Sequence, residues 1–382
     1  MRPTEPRAVN TKLPSPDPQA LTASRALLEC IAAELQDTGN WISFARYMEL
    51  VLYEPGLGYY ASGARKLGAG GDFVTAPELS PLFARTLARQ IAQLLQPGDA
   101  ILEFGAGSGA LAETLLSEFP DINYKILEPS AELADRQRKR IGNKAEWIGQ
   151  LPQHFRGVML ANEVVDAMPV HALAWTRTGV MERGVCANEG QLAWCDRAAD
   201  GVVYSESKKI QVELPPSGRY ESELALFARA WMRSLGRLLE RGALLVIDYG
   251  FPAREYFHPQ RSMGTLACHY RHHVHGDPFY LPGLQDVTAH VDFSALARAA
   301  TDAGMEVLGF ANQAQFLVNC GITDLLAGEN PADPKRYLPA AAAAQKLLTP
   351  SEMGELFKVL AVGKGLQDSL MGFSRGDRSG TL

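Results

Sequence analysis

Between Leu21 and Gln96 the apolar positions recur mostly at helical spacing, and Leu82, Phe83, Leu87, Ile91, Leu94 and Leu95 draw one stripe along a helix that ends near Pro97-Gly98. The stretch GLGYYASGARKLGAGGDFVTAPE, residues 56 to 78, interrupts this section; its glycines and short polar side chains predict a long loop. From residue 101 the pattern changes to short apolar runs alternating with helical segments. Strands are expected at 101 to 104, 124 to 128, 145 to 148, 157 to 161 and 243 to 248. Residues 175 to 214 alternate around the turn signals ANEG and AADG, which predicts a small antiparallel insertion. A helix is expected over 221 to 240, closed by Gly242 as its C-terminal cap.

Beyond Asp248 the pattern predicts an irregular section, a helix near 293 to 303, and two last strands at 305 to 310 and 355 to 362 with an alanine-rich helical excursion between them. Strands alternating with helices indicate an α/β, doubly wound, Rossmann-like sheet of about seven strands, the last two an antiparallel pair at one edge. The expected organisation is a flexible tail over 1–20, then a helical N-terminal section over 21–96 that contains the loop 56–78. A core follows over 97–310 with insertions at 175–214 and 251–285, and a helical excursion with the last strand over 311–382.

Composition narrows the function classes. The chain has 382 residues, 46% of them apolar, and a net charge of −6, so nothing global attracts nucleic acid or an anionic membrane. No run of about 18 apolar residues predicts a membrane span. The five cysteines are odd in number and scattered, which indicates neither a disulfide framework nor a zinc ribbon and makes a reducing compartment the default. The first twenty residues carry five prolines and no apolar segment of signal-peptide length. Arg2, Arg7 and Lys12 suit a mitochondrial transit segment, but Glu5, Asp17 and the prolines oppose it; the expected location is cytoplasmic, or mitochondrial if the chain is eukaryotic.

The chemistry is concentrated in ILEFGAGSGALAETLL, residues 101 to 116, a strand, glycine turn and helix. Gly105 permits a tight turn, Gly107 lets a ligand approach the backbone, and Gly109 allows helix and strand to pack closely. GAGSGA satisfies the dinucleotide pattern as well, so these glycines fit both a nicotinamide dinucleotide and S-adenosylmethionine. Glu103 moves the balance: a carboxylate beside the turn repels a pyrophosphate and suits ammonium and sulfonium charges. Glu128, at the end of the next strand, is placed to accept hydrogen bonds from two ribose hydroxyls, which either cofactor has. After the fourth strand, LANEVVDAMPVHAL, residues 160 to 173, brings Asn162, Glu163 and Asp166 to the switch point of the sheet, although Asp166 also reads as a helix cap.

EFGAGSG resembles motif I of class I S-adenosylmethionine-dependent methyltransferases, and GLGYY, GDFVTAPE and ANEVVDAMPVH resemble stretches of the MidA-like family within that class. The family includes a mitochondrial protein-arginine methyltransferase that supports assembly of respiratory complex I, and the similarity spans about residues 40 to 310. The resemblance implies cofactor roles for Glu103, Gly105, Gly107, Gly109 and Glu128. It also lays the GDFVTAPE segment, with Asp72, Thr75 and Pro77, over the cofactor, and gives Asn162, Glu163 and Asp166 a substrate-side role. Met168 stands where leucine is expected, a volume-conserving change.

Methyl transfer from a sulfonium is an in-line displacement that mainly needs placement of a lone pair and exclusion of water. If the acceptor is arginine, Glu163 with Asp166 is the expected clamp on a planar guanidinium. DVTAHVDF, 286 to 293, offers His290 and Asp292 as lining residues, with a capping role for Asp292 equally open. CHYRHHVHGDP, 268 to 278, matches no zinc spacing and no metal is expected. Glu163, Val164 and Val165 after Asn162 supply no aromatic for stacking a flipped base, which opposes nucleic-acid methylation. The expectation is a methyltransferase acting on an arginine of a protein partner, with a respiratory complex I subunit as the candidate partner and a homodimer left open. The rivals are a non-catalytic assembly factor on the same fold and an NAD-dependent oxidoreductase.

Overall fold

The computed structural model describes residues 13–62 and 75–382. Asp72 and the greater part of the loop expected over the cofactor lie outside the described residues.

Seven strands make the central sheet: β1 (Ala100–Phe104), β2 (Asn123–Leu127), β3 (Glu146–Ile148), β4 (Phe155–Asn162), β5 (Leu239–Phe251), β6 (Glu306–Asn312) and β7 (Phe357–Lys364). Their spatial order is β3-β2-β1-β4-β5-β7-β6, and a short strand Val291–Asp292 adds parallel to the end of β5. β3, β2, β1, β4 and β5 run parallel, while β7 is antiparallel to both β5 and β6, the closing pair expected from the sequence. The order reverses between β1 and β4, where the loops after those two strands diverge and leave a crevice.

Consecutive apolar residues of the strands serve opposite faces. Ile101, Val158, Leu245 and Val359 pack under the helices Pro81–Leu94 and Ala110–Glu118, through Phe83, Leu87 and Leu115. Leu102, Met159, Leu244 and Leu360 pack under the helices Leu226–Leu238 and Phe293–Asp302, through Met232, Leu235 and Leu296. Both faces are thus covered, which is why the strands read as continuous apolar runs.

Gly242 does not cap a helix. The helix ends at Leu238, and Gly242 lies inside β5 with φ +126°, where a Cβ would stand 1.8 Å from the carbonyl oxygen of Gly157. The helix also starts several residues later than the expected 221: Tyr220, Ser222 and Leu224 are buried members of a strand, Arg219–Leu224, and the helix begins at Leu226.

The antiparallel insertion extends beyond 175–214 at both ends. Its strands are His171–Thr176, Gly179–Asn188, Gln191–Ala198 and Arg219–Leu224, and Ile42–Ser43 from the N-terminal section pairs with Gly184 and Val185. Cys186 and Cys195 are joined across the hairpin, with Cα atoms 5.9 Å apart, which corrects the expectation drawn from the scattered cysteines; a hairpin brings together residues that spacing alone does not couple. The helix Phe44–Tyr53 binds this insertion to the rest, since Phe44, Tyr47 and Val51 pack with Val185, Ala172 and Val287. It ends at Tyr53, beside the crevice.

Candidate active site

A cavity of about 310 Å³ opens at the ends of β1, β2 and β4, lined by Glu103, Gly105, Gly107, Glu128, Asn162 and Glu163 together with Tyr53, Tyr60, Thr75, Pro77 and Trp231. The glycine turn follows β1 with three left-handed residues in five positions: Gly105 at φ +56°, Gly107 at +55° and Gly109 at +82°. A side chain at any of them would be strained, and one at Gly105 would also meet the Val164 Cγ2 at 3.2 Å. Gly109 does not line the cavity; it is the N-cap of the helix Ala110–Glu118. Its conformation, more than close packing, explains the glycine there, because a Cβ would sit 3.5 Å from Gln137, an ordinary contact.

Glu103 is 3% exposed and accepts the Tyr124 hydroxyl at 2.7 Å. Burial, opposed in part by that hydrogen bond, raises its carboxyl to about 7. Glu128 accepts the backbone N–H of Ser130 at 3.0 Å and the Gln137 amide at 2.9 Å, and Gln137 is itself fixed by the Trp147 indole at 2.9 Å. Both carboxylates are therefore held on the cavity wall by neighbours that do not neutralise them. The cavity also has apolar surfaces, Leu127, Leu133 and Trp231, the last edge-on to Phe104. An apolar slot with carboxylates at separate points fits a nucleoside bearing a cationic tail better than one bearing phosphates.

The loop after β4 forms the opposite wall. Glu163 has φ +54°, a strained conformation for a non-glycine residue, and its N–H is held by the Ile247 carbonyl at 2.9 Å. Its Oε1 accepts the Ala76 N–H at 3.3 Å and the Asn162 amide at 3.2 Å. Burial first, and then the nearby Asp166 charge, raises its carboxyl to about 8. The Asn162 Oδ1 is buried with no partner among the described residues.

Asp166 is not on the cavity wall. It is 6% exposed, and its Oδ2 accepts the Tyr249 hydroxyl while Oδ1 is buried without a partner among the described residues. Burial raises it to about 6. It caps no helix, and its carboxylate is paired with Tyr249 behind the loop that carries Glu163.

Asp248, which sequence reasoning passed over as the end of an apolar strand, organises this loop. Fully buried, it accepts the N–H groups of Val164, Val165 and Asp166 on Oδ2 and that of Tyr249 on Oδ1. The signal was available: an acid terminating ALLVID needs partners if it is buried.

His290 and Asp292 stand away from the cavity wall. His290 lies edge-on to the rings of Tyr249 and Phe251, and burial lowers it to about 4. Asp292 is the N-cap of the helix Phe293–Asp302, accepting the Ala295 N–H at 3.0 Å, which answers the question its sequence left open. Thr75 and Pro77 line the cavity; Thr75 is the N-cap and Pro77 the second residue of a turn of helix, Ala76–Leu79, in which Glu78 accepts the Ser108 hydroxyl of the glycine turn. Among the described residues no three metal-ligating side chains gather. Residues 267–270 and 273–275 of the histidine-rich stretch form a hairpin. No described helix is long and apolar enough to cross a membrane.

The family described as "Putative S-adenosyl-L-methionine-dependent methyltransferase" matches residues 82–311. Protein arginine methyltransferase NDUFAF7, mitochondrial, of Danio rerio is 29% identical over 385 residues, covering 89% of this chain and 87% of that protein. The protein of that name in Homo sapiens is 28% identical, covering 88% and 83%. A crystal structure of a COG1565 superfamily member from Burkholderia thailandensis, bound to S-adenosyl-homocysteine, superposes with a TM-score of 0.93 at 47% identity over 97% of this chain and 100% of that one. A native crystal structure from the same superfamily and organism gives 0.89, also at 47% identity and with the same coverage.

Proposed function

This chain belongs to the family of S-adenosylmethionine-dependent methyltransferases, and we propose that it methylates an arginine side chain of a protein partner. The observation that carries the reading is Glu163, a carboxylate held in a strained conformation on the wall opposite Glu103 and Glu128. The names of the relatives, protein arginine methyltransferases, favour the same acceptor.

In this reading Glu128 accepts the two ribose hydroxyls, Glu103 faces the cationic tail, and Gly105 and Gly107 bring bare backbone against the ligand, with Thr75 and Pro77 covering it. The bound cofactor supplies an electrophilic methyl group on a positively charged sulfur. Glu163 draws guanidinium N–H groups toward itself and concentrates positive charge on them, which leaves the lone pair of the remaining nitrogen free to attack. As the N–C bond forms, the C–S electron pair stays on sulfur, and the attacking nitrogen gives up one proton, which in this reading passes to Glu163. The apolar wall excludes water, the competing nucleophile.

Tritium transfer from labelled S-adenosylmethionine into a cell lysate, followed by hydrolysis and identification of the labelled amino acid, tests this. Label in methylarginine supports the reading; label in another residue contradicts it. No label in any lysate, with cofactor still bound, would favour a non-catalytic assembly factor. Complex I subunits are the first partners to examine. Calorimetry with NAD excludes the dehydrogenase alternative if no heat appears.

A further inference from the structure

Part of the wall of the cavity that holds Glu163 is aromatic. Tyr53, at the end of the helix Phe44–Tyr53, and Tyr60 stack with ring centroids 5.6 Å apart and planes 21° from parallel. Each hydroxyl donates to a fixed acceptor: Tyr53 to the Ala167 carbonyl at 2.8 Å, in the same loop as Glu163, and Tyr60 to the Asp286 Oδ2 at 2.8 Å. Tyr59 supports Tyr60 edge-on at 5.0 Å. Two rings tied at their hydroxyls and braced from behind make a rigid wall; both line the cavity with Asn162 and Glu163.

We infer that Tyr53 and Tyr60 are specificity-determining residues that select a planar guanidinium over an ammonium, an inference resting on the reading that the acceptor is arginine. An aromatic face attracts either cation, but only the guanidinium is flat, weakly hydrated and able to stack while directing its N–H groups sideways in its own plane. Two residues that can accept those groups line the same cavity, Glu163 and Asn162, and the Asn162 Oδ1 is buried with no partner among the described residues. An ammonium is a compact, strongly hydrated charge with donors splayed in three directions. It would leave the Asn162 oxygen unserved or give up its contact with the rings. Selection therefore resides in the shape of the wall, while the carboxylate supplies attraction that both cations share.

The test uses the full chain saturated with S-adenosylhomocysteine, with ethylguanidinium and n-propylammonium as probes followed by NMR titration. The wild type is expected to bind ethylguanidinium about tenfold more tightly than propylammonium. Tyr60→Phe and Tyr53→Phe keep the rings and should keep most of that preference. Tyr60→Leu and Tyr53→Leu should each erase it, with the affinity for S-adenosylhomocysteine serving as the check on folding. Equal binding of the two cations by the wild type, binding of neither, or a preference that survives loss of either ring would overturn the inference. Methylarginine in the lysate experiment together with a preference that survives the leucine changes would sink the aromatic wall alone; label on another residue would sink the underlying reading.

Discussion

Oδ2 of Asp248 lies 2.9 Å from the backbone nitrogen of Val165 and takes the N–H groups of Val164 and Asp166 at 3.3 Å each. One buried carboxylate from β5 thereby sets the path of the loop that presents Glu163. Asp248→Ala leaves four backbone donors, the N–H groups of Val164, Val165, Asp166 and Tyr249, without their acceptor and should cost about 3 kcal/mol of stability. Asp248→Asn, which keeps one acceptor oxygen, should cost less. Urea denaturation of both proteins checks the order; equal, negligible losses would show that the loop holds itself.

Glu103 gives the cofactor site a pH dependence. Its carboxyl is raised from 4.5 to about 7, so in the ligand-free protein it is largely protonated at pH 6 and ionised at pH 8. A cationic ligand prefers the ionised form, and S-adenosylmethionine should bind about tenfold more tightly at pH 8 than at pH 6. Glu103→Gln should bind weakly and lose most of that dependence. Stability moves the other way: the folded state holds this proton more tightly than the unfolded chain, so Glu103 makes the ligand-free protein less stable as pH rises from 4.5 to about 7. Calorimetric titrations at the two pH values read the first effect directly.

Glu163 should govern turnover in a way separable from cofactor binding. Its carboxyl is raised to about 8, so kcat/KM should climb as pH rises toward that value, the ionised form being the one that clamps a guanidinium. Glu163→Gln should lower kcat/KM about 100-fold and flatten that limb. Asp166→Asn, a change behind the cavity wall, should have the smaller effect.

Cys186 and Cys195 close a loop with a sequence separation of 9. Unfolding without reductant should expose three reactive thiols, Cys30, Cys268 and Cys320, and five with reductant. Cys186→Ser should lower stability by about 2 kcal/mol under oxidising conditions, since the cross-link restricts a short loop in the unfolded chain. Thiol counting by mass spectrometry after alkylation checks the first part.

Much of the core was legible because its strands are covered on both faces and read as unbroken apolar runs, and because three left-handed glycines cannot easily be anything else. The antiparallel insertion was harder. Tyr220, Ser222 and Leu224 alternate as a strand, but Leu224 also falls on a helical stripe with Phe227 and Trp231, and periodicity alone joins them. The pairing of Ile42 with Val185 and the stack of Tyr53 on Tyr60 depend on tertiary contacts that leave no local pattern. In the candidate site, Glu103, Glu128, Asn162 and Glu163 came from their places at strand ends, which topology converts directly into positions on the crevice. Asp166 and His290 follow strand ends too, yet each turns to Tyr249, a residue that no local pattern singles out. Asp248 was missed because its partners are backbone groups 82 to 84 positions away.

The central claim is arginine methylation dependent on Glu163. Its most direct measurement is tritium transfer from labelled S-adenosylmethionine into lysate protein by the wild type and by Glu163→Gln, both shown to bind the cofactor equally. The account predicts label in methylarginine with the wild type and a loss of about 100-fold with the variant. Label in a residue other than arginine, or equal labelling by the two proteins, would contradict it.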